Sequence, residues 1–233
     1  MVLGAAVVRH HQRGLASVLL YALTLLAVAA AHAGQLIVHV SDAAGRPVPD
    51  SVVMVRDLGA SRQPEATPMA RMVQHSQSFN PTVLAVAVGT SVEFPNEDRM
   101  RHHIYSFSPT RRFEVRLYAG SETPSVRFDQ PGIVTLGCNI HDWMLGFIFV
   151  ADSPYFAVAD ANGVASIGEV PDGTYELVLW HPTLAESPIV KPERLKISGP
   201  RELATLLPGE AVAVNQAPAE TDPLAAKFRR RAP

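Results

Sequence analysis

Turn-forming residues occur so often along this chain that its pattern predicts a series of short β-strands. Its 19 prolines and 15 glycines separate runs rich in valine, isoleucine, phenylalanine and tyrosine. Asn162-Gly163 and Asp172-Gly173 tolerate positive φ and suit tight hairpins. Because no long amphipathic helical pattern appears, the sequence predicts an all-β sandwich. The predicted strands span residues 35–40, 52–55, 83–88, 91–94, 104–107, 113–118, 125–128, 133–136, 145–150, 155–158, 164–167 and 175–180.

The only cysteine of the chain lies in a run that also carries a histidine and a methionine. Cys138, His141 and Met144 place a thiolate, an imidazole and a thioether close together along the chain. Two histidines and a cysteine in one plane, with a weak axial methionine, suit copper that cycles between two oxidation states. One histidine is missing from this run, and His102 and His103 are the candidates. Strand alternation places them on opposite faces, and the neighbouring apolar residues do not decide between them.

The Cys-x2-His-x2-Met run resembles the ligand loop of amicyanin-like cupredoxins, and plastocyanin is similar. The strands and turns around it, from about residue 69 to 152, resemble that family too. The resemblance implies a cupredoxin-like Greek-key sandwich with one type 1 (blue) copper site. It implies the following metal ligands: His102, Cys138, His141 and axial Met144.

The position of Asn96 indicates which of the two adjacent histidines is the expected metal ligand. In the family the ligand histidine follows this asparagine by six positions, which selects His102. Asn96 and His103 are then expected to support the site from outside the ligand set, or to take the place of a ligand. The chain departs from the family at Asp142, where amicyanin-like loops tend to have proline. A carboxylate there is expected to disfavour acidic partners.

Two further segments resemble a carboxypeptidase-regulatory or transthyretin-like β module. They are residues 38–48 and 160–180, which lie on either side of the cupredoxin-like segment. An alternative is one continuous sandwich in which residues 34–55 pair with the cupredoxin-like strands. The favoured division has a signal peptide at 1–33, a transthyretin-like module formed by 34–58 and 153–200, a linker at 59–67, a cupredoxin-like domain at 68–152 and a largely disordered extension at 201–233.

The first residues have the features of a secretory signal. A basic start is followed by an apolar stretch at 15–30 and a small-residue cleavage site at 31–33. An uncleaved anchor is less favoured, because a span normally needs about 20 apolar residues. We therefore expect a periplasmic protein with no membrane span after cleavage. A lone cysteine in an exported chain rules out an internal disulfide and favours metal ligation.

The remaining features limit the functional classes. A net charge of −2 gives no electrostatic case for nucleic acid. The sequence lacks a haem-attachment motif, a phosphate loop and a serine nucleophile elbow, so we do not predict an enzyme. The resemblance, which extends to proteins often labelled methylamine utilization proteins, implies single-electron transfer with a dehydrogenase or c-type cytochrome. The alternatives are a periplasmic copper carrier and a cell-envelope binding module.

Overall fold

The computed structural model describes residues 33–59, 62–66, 69–120, 122–184 and 187–211. Apart from residue 33, the predicted signal peptide lies outside these ranges. None of the helices in the described residues has the length and apolar character that a membrane crossing requires.

The described chain is all-β, which confirms the predicted fold class. Its only described helix is one 3-10 turn, Pro182–Leu184. The strands are β1 Ala33–Ser41, β2 Val52–Asp57, β3 Ala70–Arg71, β4 Val73–His75, β5 Ser78–Asn80, β6 Val83–Ala87, β7 Thr90–Glu93, β8 His102–Ser106, β9 Phe113–Tyr118, β10 Ser125–Phe128, β11 Gly132–Cys138, β12 Leu145–Ala151, β13 Tyr155–Val158, β14 Val164–Pro171, β15 Gly173–Trp180, β16 Ile189–Ile197 and β17 Arg201–Leu206.

Strands from the two ends of the described chain form one sandwich, which we call the flanking sandwich. Its sheets have the orders β14-β1-β17 and β13-β2-β15-β16. They enclose an apolar core that includes Leu36, Val53 and Tyr175, all fully buried. Since the described strands β1 and β2 pair within this sandwich, the alternative that joined residues 34–55 to the cupredoxin-like sheets is wrong.

The intervening residues form a second sandwich, which we call the central sandwich. Its sheets have the orders β10-β7-β3 and β6-β12-β11-β8-β9. Strand alternation sends Phe94, Phe128, Leu136 and Ile148 into the space between them, where all four are fully buried. A two-stranded ribbon of β4 and β5 accompanies these sheets.

A third core joins the two sandwiches. It lies between the outer face of the four-stranded flanking sheet, which contributes Met54 and Trp180, and the outer face of the five-stranded central sheet, which contributes Phe147 and Phe149. The ring of Trp180 is fully buried, and its centroid lies 5.7 Å from that of Phe147 and 6.1 Å from that of Phe149. The five-stranded sheet is therefore apolar on both faces along β6, β12 and β11.

The prediction that residues 201–233 form a largely disordered extension is wrong at its start. Residues 201–206 form β17, which pairs in parallel with β1. The fully buried Leu207 then joins the core of the flanking sandwich, and Leu203 packs against that core. Residues 212–233 lie outside the described part of the chain.

Replacing Trp180 with alanine tests the third core. The variant Trp180→Ala is expected to lower the free energy of unfolding by about 3 to 5 kcal/mol, because it leaves a large cavity between two sheets. Urea unfolding measures this change. The control Phe107→Ala removes a ring that is 75% exposed, so its effect should stay within about 0.5 kcal/mol. Equal losses in the two variants would contradict the role given to Trp180.

Candidate metal centre

Three buried side chains bring their donor atoms together at one end of the central sandwich. The Sγ atom of Cys138 lies 3.7 Å from Nδ1 of His102 and 3.7 Å from Nδ1 of His141. Ligand atoms of the three residues all lie within 4.8 Å of one another. The residues are 0%, 3% and 8% exposed for His102, Cys138 and His141, respectively. Among the described residues this is the one such group of histidine, cysteine and carboxylate side chains.

Strand pairing sets the position of the thiol. Cys138 is the last residue of β11 and lies opposite Ile104 of β8, so it ends beside His102 at the start of β8. The preceding pair is Gly137 and Tyr105. A β-carbon on residue 137 would lie 2.7 Å from the Tyr105 ring, so a larger residue at this position would displace that ring.

The other two residues of the predicted run lie in the loop between β11 and β12. The backbone N–H of Met144 donates to the carbonyl of His141 at 3.0 Å, which closes the loop as a tight turn. This turn points the His141 ring back toward Cys138. The side chain of Met144 is fully buried and packs in the same core as Cys138.

The three donors fit one metal ion. Bonds of about 2.0 Å to nitrogen and about 2.3 Å to sulfur, meeting at about 109° to 120°, separate nitrogen from sulfur by about 3.5 to 3.7 Å. The observed separations of 3.7 Å from Cys138 to His102 and to His141 match this spacing. A thiolate with two imidazoles is the donor set that suits copper. Both the separations of the donor atoms and the types of donor therefore fit a single copper ion.

Asp98 fixes the ring of His102, and the sequence analysis missed it. Its Oδ2 lies 2.8 Å from Nε2 of His102, which leaves Nδ1 facing Cys138. The same carboxylate accepts hydrogen bonds from the backbone N–H groups of Ser76 and Gln77, at 2.7 Å and 3.0 Å. Carboxylates that hold a ligand histidine in this way orient it and raise its basicity. The one sequence signal was a carboxylate four residues before the histidine.

Asn96 organises the loop that precedes His102. Its side-chain amide donates to the carbonyls of Met100 and Tyr118, at 2.9 Å and 3.1 Å. Its Oδ1 accepts the N–H of Asp98 at 2.9 Å. Asn96 therefore holds Asp98 in the position from which it contacts His102.

His103 points away from the thiol. Its Nε2 lies 2.9 Å from Oε1 of Glu114, on the opposite face of the sheet. The structure thus brings His102 to Cys138 and leaves His103 outside the cluster, as strand alternation requires.

The surroundings of Cys138 favour its thiolate. Burial by itself raises the pKa of this thiol, but hydrogen bonds from His102 and from the backbone N–H groups of His103 and Ile140 outweigh it and lower the pKa to about 6. Burial opposes the charged form of His102, yet contacts with Cys138 and Asp98 raise its pKa. The thiolate that a metal requires is therefore available near neutral pH.

Comparisons with known proteins were made for the whole chain. No protein-family model matches it, and no curated protein matches it. Similar solved structures include a purple cupredoxin from Nitrosopumilus maritimus, with 21% identity, a TM-score of 0.33, and coverage of 35% of this chain and 99% of that one. An oxidised amicyanin variant has 15% identity and a TM-score of 0.34, covering 42% of this chain and 99% of that one.

A copper-containing nitrite reductase from Thermus scotoductus SA-01 is also similar, with 28% identity and a TM-score of 0.35. That match covers 51% of this chain and only 28% of the reductase.

The variant Asp98→Asn tests the anchoring of His102. It keeps the size of the side chain and removes the charge that holds the ring, so we expect copper affinity to fall by about 10- to 100-fold. Competition with a copper chelator measures the affinity. The control Asp129→Asn alters an exposed carboxylate that pairs with Arg127 and should leave affinity unchanged. Unchanged affinity in Asp98→Asn itself would mean that the carboxylate does not position His102.

Proposed function

We propose that this chain binds one copper ion in a type 1 site and carries single electrons between exported redox partners. The observation that carries the proposal is the buried cluster in which Cys138 is equidistant from the Nδ1 atoms of His102 and His141. Met144 is proposed as the axial ligand, since its thioether side chain is buried in the same core. Bound at these residues, copper would supply a one-electron couple between two oxidation states.

The protein residues would keep the site in one geometry. Cys138 is held by a strand pair, and His102 is held by Asp98, which is itself held by backbone N–H groups. Ligands supported by rigid strands and by a second layer of hydrogen bonds resist rearrangement when the charge of the site changes. Such rigidity suits electron transfer, in which the same donors must serve both oxidation states.

Access to the site is through its loop. His141 is 8% exposed, and its neighbour Ile140 is 48% exposed. Met100, on the loop held by Asn96, is 42% exposed. An electron partner could therefore approach the edge of His141, whereas His102 and Cys138 are shielded from water.

The burial of the ligands favours an electron carrier over a homeostatic copper carrier and over a copper enzyme. A homeostatic copper carrier must release its ion, and the fully buried His102 behind Asp98 opposes release. With Met144 as the fourth donor, the protein would leave no open coordination position of the kind that catalytic metal sites keep. We therefore propose an electron carrier rather than a copper carrier or an enzyme. Its proposed partner is a dehydrogenase or a c-type cytochrome, and its proposed location is the periplasm.

Copper titration with visible spectroscopy tests the proposal. The protein is expected to bind one copper per chain with an intense thiolate-to-copper absorption band, because Cys138 is the only thiolate in the cluster. Cys138→Ser should abolish the band. Colourless copper binding, or a strong preference for zinc over copper, would contradict an electron-transfer role.

The adjacent histidines provide a matched pair of variants. His102→Ala is expected to destroy the band or to open the site to exogenous imidazole, because the variant removes the Nδ1 next to Cys138. His103→Ala should retain the band, since His103 contacts Glu114 on the other face. Absorption spectra with and without imidazole report both results. A band lost only in His103→Ala would show that the register of β8 is displaced by one residue.

A further inference from the structure

Among the described residues, none of the third core packs on the outer face of the hairpin formed by β8 and β9. Along β6, β12 and β11 the same sheet is covered by the flanking sandwich through the third core. Strands β8 and β9 lie at the other side of the sheet, with β9 at its edge. This face is half polar and half aromatic, and no described sheet packs on it in the third core.

Strand register defines the side chains on this face. Ser106 lies opposite Phe113 and Tyr105 lies opposite Glu114. Because Phe113 packs against the inner core, alternation turns Tyr105 and Glu114 to the outer face. Phe107 lies just beyond the end of β8, with its ring beside that of Tyr105, and Arg112 lies just before β9. We give the name aromatic ledge to Tyr105, Phe107 and two arginines of the connection between β8 and β9, Arg111 and Arg112.

The aromatic ledge combines an exposed ring with two cations. Phe107 is 75% exposed, and its ring centroid lies 5.1 Å from that of Tyr105. Arg111 and Arg112 are both exposed. No described carboxylate forms an ion pair with either guanidinium, whereas the nearby Glu114 is taken by His103 and Arg116. Aromatic side chains, phenylalanine included, and arginine are enriched in protein–protein interfaces relative to the rest of the surface.

We infer that the aromatic ledge docks a protein partner with an acidic surface, an inference that rests on the proposed electron-transfer function. Arg111, Arg112 and Arg116 oppose a single carboxylate, Glu114, on this hairpin, although the whole chain has a net charge of −2. The local excess of positive charge attracts and orients an acidic partner. Asp142, which is expected to disfavour acidic partners, lies in the ligand loop and not on the aromatic ledge.

The position of the ledge connects it to the metal centre. The Tyr105 ring covers Gly137, the residue directly before Cys138. A partner seated on Phe107 and Tyr105 is thus separated from the thiolate by one aromatic side chain and one residue of β11. Docking here leaves the exposed edge near His141 free.

A protein is favoured over a membrane as the occupant. Each cation near an anionic bilayer contributes about 1 kcal/mol, and stable membrane attachment needs a second strong apolar signal. One exposed phenylalanine and two free arginines supply too little. The exposed ring of Phe107 beside Tyr105, with Arg111 and Arg112 on the adjoining connection, presents a surface that a folded partner can match.

Peptide titration of the full-length protein without copper tests the inference. The probes are a hexaglutamate peptide and a hexalysine peptide, and the readout is the change in backbone amide NMR shifts. Hexaglutamate is expected to shift amides at residues 103–116, with binding that weakens as salt rises to about 0.5 M, where screening acts within about 4 Å. Hexalysine should not bind there. Shifts confined to other surfaces, or equal binding of the two peptides, would overturn the inference.

Matched arginine pairs give the control. Arg111→Ala with Arg112→Ala is expected to weaken hexaglutamate binding by about three- to tenfold. Arg99→Ala with Arg101→Ala removes the same charge from the loop before β8 and should leave binding on the ledge unchanged. Equal losses in both double variants would overturn the inference, because only net charge would then matter.

Two further results separate the possible outcomes. Co-sedimentation of the protein with phosphatidylglycerol vesicles, lost in the Arg111 and Arg112 double variant, would replace the protein partner with a membrane and overturn the inference. The NMR titration requires no copper, so its failure is independent of the copper titration. Coloured copper binding without ledge binding would leave the proposed function intact and reject only the docking site.

Discussion

The pairing of β11 with β8 determines the metal centre. Only two pairs of residues align, Gly137 with Tyr105 and Cys138 with Ile104, and the absence of a side chain at residue 137 leaves room for the Tyr105 ring. Because these two pairs set the register, the thiol at the end of β11 lies against an imidazole at the start of β8. The loop after β11 then needs only three residues to return a second imidazole to the same point.

Burial and hydrogen bonding oppose each other at this site. A thiol in an apolar core normally stays protonated, because low polarity penalises the thiolate. Here the fold brings the His102 ring and two backbone N–H groups to the sulfur, which reverses the effect of burial. Asp98 extends the arrangement by one layer, since its negative charge lies behind the ring and not beside the sulfur. The result is a buried, compensated chain of charges rather than an isolated thiolate.

The sequence predicted the features that depend on neighbouring residues and missed those that depend on distant ones. Cys138, His141 and Met144 share one loop, so their spacing was sufficient to identify them. The choice of His102 over His103 required a family resemblance, because alternation alone permits either. Asp98 could not be found, since its contact depends on a loop that Asn96 shapes and on two N–H groups more than 20 residues away. The same reason hid β17, whose parallel partner β1 lies at the other end of the fold.

The third core couples the stability of the two sandwiches. Trp180 and Met54 lie on one side of it and Phe147 and Phe149 on the other, so neither sandwich can open without exposing the apolar face of its neighbour. Such an arrangement discourages partial unfolding, because the half that stayed folded would lose its cover. The two sandwiches should therefore unfold together in one cooperative transition. Loosening of the flanking strands would then destabilise the central sandwich that holds Cys138, although those strands contribute no ligand to the site.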